Sequence, residues 1–206
     1  MRTLLVAVLT AIASMGVAMA QDRMPEISSD KMTDAQKKAA QEFAAGRGAP
    51  VFGPFVPLLR SPEVMLRAKA MGDYLRFKNV LPAKLAEFVI LITGRRWTQQ
   101  YEWDVHYPIA LKAGLSPEIA KAVADGRRPL NMPADEELVY DFLTELDDTR
   151  SVSDATYARA VARFGEQGVI DMVSVSGYYT FLAMVMNTAR TALPVDHKPA
   201  LPEFPH

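Results

Sequence analysis

The sequence of 206 residues contains no cysteine. Without cysteine, no disulfide framework, zinc–thiolate site or iron–sulfur cluster can form, and no thiol can act as a nucleophile or peroxidatic group. An excess of one charge is also missing, because 23 Lys and Arg residues balance 24 Asp and Glu residues. A near-neutral chain lacks the electrostatic footprint of a nucleic-acid-binding protein. Composition therefore excludes thiol peroxidase chemistry and argues against a nucleic-acid partner.

Two common motifs of enzyme active sites are missing as well. No glycine-rich loop joins a strand pattern to a helix pattern, so nothing suggests a dinucleotide or phosphate site. No G-x-S-x-G elbow occurs, which leaves a Ser-His-Asp hydrolase poorly supported. What is present is a chain in which 50% of the residues are hydrophobic, as is typical of a globular protein that buries a sizeable core.

The first 20 residues have the pattern of a secretory signal peptide. Arg2 supplies a positive charge, residues 4–17 form an apolar stretch, and Ala18-Met19-Ala20 matches an A-x-A cleavage site before Gln21. The apolar stretch is shorter than the roughly 20 residues that a membrane span needs. We therefore predict cleavage after Ala20, a periplasmic or secreted mature protein, and no membrane span after cleavage.

The rest of the chain is predicted to be one all-α domain with extensions at both ends. The predicted divisions are the signal peptide (1–20), an N-terminal arm and peripheral helix (21–47), a helical domain (48–194) and a Pro-rich tail (195–206). Thr33 is positioned to cap the peripheral helix. Residues 48–57 contain several Pro and Gly residues between apolar ones, which indicates an extended segment laid over a hydrophobic surface.

Capping residues and apolar runs define the helices of the domain. Ser-Pro-Glu occurs at residues 61–63 and again at 116–118, and this triplet is a strong helix start. Residues 88–92 are apolar on every face, so their helix should be buried on all sides. A strand is possible by composition, but the flanking residues have good helix propensity and favour a helix. Pro108 should kink the helix predicted for residues 98–113.

The last helix is predicted for residues 167–192, after another that ends at Gly165. It carries no charge between residues 172 and 187, yet its Ser, Tyr and Thr residues make it too polar for a membrane span. A helix that is apolar on most faces needs more neighbours than one small domain supplies. We therefore predict a homo-oligomer that uses this helix.

Only His106, among the three histidines, lies in the predicted core, because His197 and His206 belong to the tail. Glu102 precedes His106 by four residues and shares its helix face. Glu87 lies in the buried helix one element earlier, where an unpaired carboxylate would cost several kcal/mol or take up a proton. Glu87, Glu102 and His106 are the candidate catalytic residues.

Three interpretations of these residues stay open. They could be a satisfied polar cluster that locks two helices together. They could perform general acid–base chemistry, since burial raises the pKa of a Glu and a neighbouring acid fixes the imidazole tautomer. They could bind a divalent metal, although one His and one Glu four residues apart are a weak zinc signature.

Four aromatic residues cluster along this part of the sequence: Trp97, Tyr101, Trp103 and Tyr107. Such a cluster is a core or, alternatively, the wall of a pocket for a flat or cyclic ligand, in which Tyr101 and Trp103 would contact substrate. Arg95 and Arg96 come just before it. Either arginine could hold a substrate carboxylate through a bidentate contact.

Several segments together resemble the carboxymuconolactone decarboxylase-like family of the alkylhydroperoxidase D superfamily. The central ones are Glu87-Phe-Val-Ile-Leu-Ile, Gly94-Arg-Arg-Trp, Tyr101-Glu-Trp-Asp-Val-His106 and Ala110-Leu-Lys-Ala-Gly-Leu-Ser116. The upstream Gly53-Pro54-Phe55, Leu58-Leu59, Ser61-Pro62-Glu63 and Gly72-Asp-Tyr-Leu75 extend the resemblance over residues 50–194. The resemblance implies an all-α helical bundle, commonly a trimer or hexamer, with the site formed by Glu87, Glu102 and His106.

One departure from the superfamily decides which chemistry can be expected. In the peroxidase branch a Cys-x-x-Cys precedes the histidine, and the corresponding positions here are Gln99 and Glu102. The decarboxylase-like branch remains, and it implies a lyase without cofactor or metal that acts on a small carboxylated unsaturated lactone or related cyclic acid. His106 would then return a proton to carbon, Glu102 would orient it, and Glu87 would be a second acid or base.

The resemblance leaves two other functions open. One is a non-catalytic exported binding or scaffold module that keeps the bundle and the aromatic pocket. The other is a metal-dependent hydrolase in which a bound ion activates water.

Overall fold

The computed structural model describes residues 22–202, and the predicted signal peptide lies outside this range. The described residues form eight α-helices and no strand, which confirms the predicted all-α class. The helices are α1 (Asp34–Arg47), α2 (Phe55–Leu58), α3 (Pro62–Phe77), α4 (Ala83–Arg96), α5 (Gln100–Lys112), α6 (Pro117–Ala124), α7 (Ala134–Thr149) and α8 (Asp154–Ala189).

Helix α4 is the centre of the bundle. Every residue from Leu85 to Arg95 is buried, as expected for a helix whose middle is apolar on all faces. Its neighbours are α5, α6, α7 and α8, which together surround it. The interpretation of residues 88–92 as a helix is therefore confirmed. Any polar side chain on α4 that does not reach the surface must find its partners inside the bundle.

Helix α8 consists of two helical segments that meet at Gly165. This residue has φ 70° and ψ 170°, a backbone conformation that glycine adopts readily and other residues rarely do. By length and composition the helix could cross a membrane. However, 56% of its most apolar 18-residue stretch is buried inside the protein. Its buried residues include Tyr178, whose hydroxyl lies against Gly72 of α3, and Tyr179, whose ring contacts His106 of α5.

The N-terminal region packs more closely against the core than expected for a peripheral helix followed by an extended segment. Thr33 caps α1, as the sequence indicates, and Gln36 completes a capping box with it. Phe43 of α1 is fully buried and packs against Phe52 and Phe55 at ring-centroid distances of 5.7 and 4.8 Å. Phe55 packs in this cluster and is the first residue of the short helix α2. The predicted extended segment therefore ends in a helix.

Helix α5 runs through Pro108 as one element. The tail that follows α8 returns to it. Gln100 accepts hydrogen bonds from the backbone of Ala200 and Leu201, and His197 Nδ1 lies 2.8 Å from a carboxylate oxygen of Asp104. The described part of the Pro-rich tail is therefore held against α5 by hydrogen bonds.

Candidate active site

Helices α4 and α5 bring the three predicted catalytic residues together. His106 Nδ1 lies 2.7 Å from Glu87 Oε2, and His106 Nε2 lies 3.5 Å from Glu102 Oε2. All three side chains are buried. The pairing of Glu102 and His106 follows from their four-residue spacing on α5, whereas the contact with Glu87 depends on how α4 packs against α5.

The two glutamates have different relations to the imidazole. The short contact shows that Nδ1–H of His106 donates a hydrogen bond to Glu87, and this leaves the lone pair of Nε2 facing Glu102. Glu87 is therefore the residue that orients the imidazole. The resemblance implies that Glu102 orients the imidazole, whereas in this structure Glu87 makes the shorter contact and Glu102 faces Nε2.

Burial shifts the proton equilibria of the site towards neutral side chains. The pKa of Glu102 is raised to about 8, chiefly by loss of solvation; the charge of Arg76 opposes this shift and the charge of Glu87 adds to it. Burial also lowers the pKa of His106, against the hydrogen bond and charge of Glu87. At neutral pH, Glu102 is a protonated carboxylic acid beside a neutral imidazole.

A cavity of about 50 Å³ adjoins Glu102 and His106. Its aromatic walls are Phe52, Phe55, Tyr101, Tyr178 and Tyr179. Glu102 Oε1 is buried and has no hydrogen-bond partner in the described structure. An unpaired buried oxygen of this kind costs on the order of 1–3 kcal/mol, so the site retains a polar atom that only a ligand or water can satisfy.

Two tyrosines of α8 complete the inner wall. The Tyr179 ring meets the His106 ring edge to face, with centroids 5.0 Å apart, and Tyr178 meets Tyr179 in the same way at 5.4 Å. Burial raises the pKa of both phenols, so both stay protonated. Gly72 of α3 leaves the space that the Tyr178 hydroxyl occupies.

The predicted arginine contacts are not at this cavity. The Arg95 guanidinium donates a hydrogen bond to the carbonyl of Pro202 in the tail. Arg96 pairs with Asp147 and Asp148 of α7 at 2.8 and 3.4 Å. Arg96 follows Glu87 by nine residues, which turns it to roughly the opposite side of α4 at about 100° per residue. Neither arginine therefore lines this cavity, and their substrate-binding roles stay predictions without support from its geometry.

The predicted aromatic contacts divide between the cavity and the core. Tyr101 lines the cavity, as expected. Trp103 does not, because it is buried elsewhere and stacks on Tyr107 with ring centroids 5.8 Å apart. Trp97 is partly exposed and donates a hydrogen bond from Nε1 to Thr180.

Sequence reasoning missed two charged residues at the cavity. Arg47, at the end of α1, and Arg76, near the end of α3, both line it. Neither lies near the Glu87 to His106 segment in the sequence, and no local pattern marks them. Gln99, at one of the cysteine positions of the peroxidase branch, instead caps α5 and donates a hydrogen bond to Asn187.

Within residues 22–202, no group of three His, Asp or Glu side chains is arranged to hold a metal ion. Glu87, Glu102 and His106 are close together, but both imidazole nitrogens face carboxyl groups. Metal binding at this cluster would require the imidazole to exchange its hydrogen bond with Glu87 for a metal bond.

Comparison with known proteins identifies the fold. No protein-family profile and no curated protein matches the sequence. A peroxidase-related protein from Ralstonia eutropha JMP134, described as an alkylhydroperoxidase AhpD core, matches with a TM-score of 0.66 and 16% identity, over 84% of this chain and 93% of its own. A protein of unknown function from Agrobacterium tumefaciens, described as an AhpD-type antioxidant defence protein, matches with a TM-score of 0.58 and 14% identity, over 66% and 94%.

These matches define the class of the protein by its architecture. The chain has the alkylhydroperoxidase D-like fold, as the sequence resemblance predicts. Because both identities are low, the likeness establishes the fold and leaves the reaction to be argued from the site.

Proposed function

We propose that the protein is a cofactor-independent lyase or isomerase of the carboxymuconolactone decarboxylase-like type. Its substrate would be a small carboxylated unsaturated lactone or related cyclic acid. The observation that carries this proposal is the unpaired Oε1 of a protonated Glu102 at a cavity beside a neutral His106. A neutral acid with a pKa close to the working pH is a suitable proton donor to a carbanion or enolate.

Each of the three residues has a distinct role in this proposal. Glu102 faces the cavity and donates the proton. His106 Nε2 lies 3.5 Å from Glu102, and its lone pair can take up a proton from solvent and relay it to that carboxylate. Glu87 holds the imidazole in one tautomer through the 2.7 Å contact with Nδ1. Glu102 thereby replaces His106 as the group that protonates the substrate.

The decarboxylation step uses only these residues and the substrate. The bond between a carbon of the substrate and a carboxylate breaks, CO2 leaves, and the electron pair of that bond enters the conjugated lactone as an enolate. The proton of Glu102 then forms the new C–H bond, and Glu102 is left ionised. His106 and solvent return a proton to Glu102, a step that burial of the carboxylate favours.

The cavity must widen to admit such a substrate. Pockets for small ligands usually measure about 300–1,000 Å³, whereas this cavity measures about 50 Å³. Phe52 forms part of the lining and is partly exposed, so its displacement would open the cavity to solvent. The cavity as observed corresponds to a closed site.

The direct test is turnover of a panel of unsaturated lactones and small cyclic acids by the purified protein. Turnover should fall by about 10²–10⁴ in Glu102→Gln and His106→Ala. The matched control is His197→Ala, because this exposed histidine also pairs with a carboxylate but lies in the tail. Full turnover by His106→Ala on a confirmed substrate would contradict the proposal.

The small volume of the cavity favours a second candidate, a non-catalytic binding or scaffold module. Under this alternative the cluster only holds α4 against α5. Removing His106 should then lower the free energy of unfolding by a few kcal/mol. Under this alternative the wild type has no turnover for the substitution to abolish. Equal turnover rates for the wild type and an uncatalysed control across the panel would favour this candidate.

We also propose that the protein assembles into a homo-oligomer, a trimer or hexamer by the resemblance, and that it is exported. Assembly is supported by an apolar groove between α3 and α8 that contains Val64, Met71 and Phe181. Met71 and Met184 expose 45% and 50% of their surface. Exposed apolar side chains that line one groove are a feature of interfaces between copies.

A further inference from the structure

Two arginines converge on the cavity from helices that contribute no predicted catalytic residue. Arg47 pairs with Asp73 through Nη2 at 2.7 Å, but its Nε is buried and has no hydrogen-bond partner in the described structure. Within residues 22–202, Arg76 forms no ion pair, and its guanidinium carbon lies 5.5 Å from the ring centroid of Phe77. Both guanidinium groups therefore keep donors that no residue in the described part of the chain satisfies.

The charge of the lining is positive at neutral pH. Glu102 is the only acidic residue among the described residues that line the cavity, and it is protonated because burial raises its pKa to about 8. His106 is neutral because burial lowers its pKa. Arg76 acts on both groups, since its charge lowers both pKa values. No ionised carboxylate of the lining offsets the two arginines.

The walls around these charges are flat and apolar. Phe52 and Phe55 line the cavity from the start of the α2 region, and Tyr178 lines it from α8. Once the cavity has widened, these aromatic side chains would stack on a planar, unsaturated ring, and a carboxylate on that ring would supply the planar pair of acceptors that a guanidinium group binds bidentately.

We propose that Arg47 and Arg76 form a carboxylate-binding subsite that anchors a flat, unsaturated cyclic acid through a carboxylate that stays on the product. The inference rests on the proposed function, because it assigns a ligand class to the same cavity. A carboxylate held by guanidinium groups is stabilised as an anion and resists loss as CO2. The carboxylate that leaves in a decarboxylation must therefore be a second one, placed next to neutral Glu102.

The subsite is tested by calorimetric binding of 2-furoate and 2-furamide, which have nearly the same shape and differ in charge. The wild type should bind 2-furoate at least about tenfold more tightly than 2-furamide, and Arg76→Gln should remove that difference. Arg76→Lys should restore part of it, because lysine keeps the charge and loses the bidentate geometry.

The matched control is Arg67→Gln, on the same helix as Arg76. Arg67 is exposed and pairs with Glu63 at the surface, so its loss should leave both affinities unchanged. Three results would overturn the subsite. The wild type could bind the two probes equally, or it could bind neither. The preference for 2-furoate could also stay unchanged in both Arg76→Gln and Arg76→Lys.

Failure of the subsite and failure of the proposed reaction give different results. His106→Ala should keep the preference for 2-furoate, because His106 is neutral and does not hold the carboxylate. If His106→Ala also kept full turnover on a confirmed substrate, the acid–base mechanism would be wrong while the subsite stood. Normal turnover in Arg76→Gln would leave the acid–base mechanism intact and would contradict the proposed subsite.

Discussion

His106 Nδ1 lies 2.7 Å from Oε2 of Glu87, which precedes it by 19 residues and belongs to the neighbouring helix. This contact fixes the tautomer of the imidazole and points Nε2 at Glu102. In the proposed mechanism this contact makes Glu87 a positioning residue, which would act on the reaction through His106 and does not line the cavity.

Replacement of Glu87 should reduce turnover without removing any group that contacts substrate. In Glu87→Gln, the amide can donate as well as accept, so the population of the correct tautomer should fall. We expect kcat to drop by about 10²-fold with little change in KM. The control is Glu118→Gln, which alters an exposed glutamate of α6. An unchanged kcat, measured on a confirmed substrate, would contradict the positioning role.

The stability of the protein should fall as the pH rises from about 4.5 to 8. The pKa of Glu102 is raised in the folded state to about 8 from an ordinary value of 4.5, so the folded state binds its proton more tightly than the unfolded state. This stabilisation is complete below the ordinary pKa and is lost as the pH passes through the raised one. The loss should be on the order of a few kcal/mol by denaturant titration.

Glu102→Gln tests the origin of this pH dependence. The amide is neutral at all pH values, so the variant should lose the decline and become more stable than the wild type above about pH 8. Glu42→Gln, at an exposed position on α1, should keep the wild-type profile. Retention of the full decline in Glu102→Gln would assign the effect to another group.

His106 should produce the opposite trend on the acid side. Burial lowers its pKa below the ordinary 6.5. The contribution of neutral His106 to the stability of the fold is therefore present above pH 6.5 and is lost as the pH falls through the lowered pKa. His106→Gln should therefore flatten the acid limb of the stability profile. An identical acid limb in the wild type and the variant would contradict this assignment.

Turnover should decrease above about pH 8, because Glu102 must be protonated to donate its proton. The pH dependence of kcat/KM on a confirmed substrate measures this step. In Glu102→Asp the donor is withdrawn from the cavity, so the rate should fall at every pH. A rate that continued to rise above pH 9 would show that the donor is not Glu102.

Assembly should depend on the apolar groove between α3 and α8. Met71→Lys places a charge in that groove and should shift the protein towards the mass of one chain in size-exclusion chromatography with light scattering. Leu130→Lys is the control, because Leu130 is 79% exposed and does not line the groove. A wild-type protein that is monomeric throughout would end the oligomer proposal.

Metal dependence can be decided by elemental analysis of protein purified without a metal-binding tag. We expect substoichiometric metal, and turnover that survives treatment with a chelator. Loss of activity on chelation, restored by one equivalent of a divalent ion, would favour the hydrolase alternative and would require His106 to exchange Glu87 for the metal.

The sequence by itself determined the class of the fold and the positions of most helices, and it marked the three residues that the structure brings together. These features are local: a capping residue starts a helix where it stands, and residues four apart share a face whatever surrounds them. Ser116, for example, caps α6 as expected. The apolar run at residues 88–92 predicted its own burial because a helix without a polar face has no side to expose.

Tertiary structure decided the rest of the site. Arg95 and Arg96 adjoin the catalytic segment in sequence but turn away from the cavity, whereas Arg47 and Arg76 reach it from α1 and α3. The two glutamates likewise took their roles from packing, since only the approach of α4 to α5 places Glu87 at Nδ1. Helix rotation and packing set which side chains meet across elements, and these depend on long-range contacts that no local spacing records.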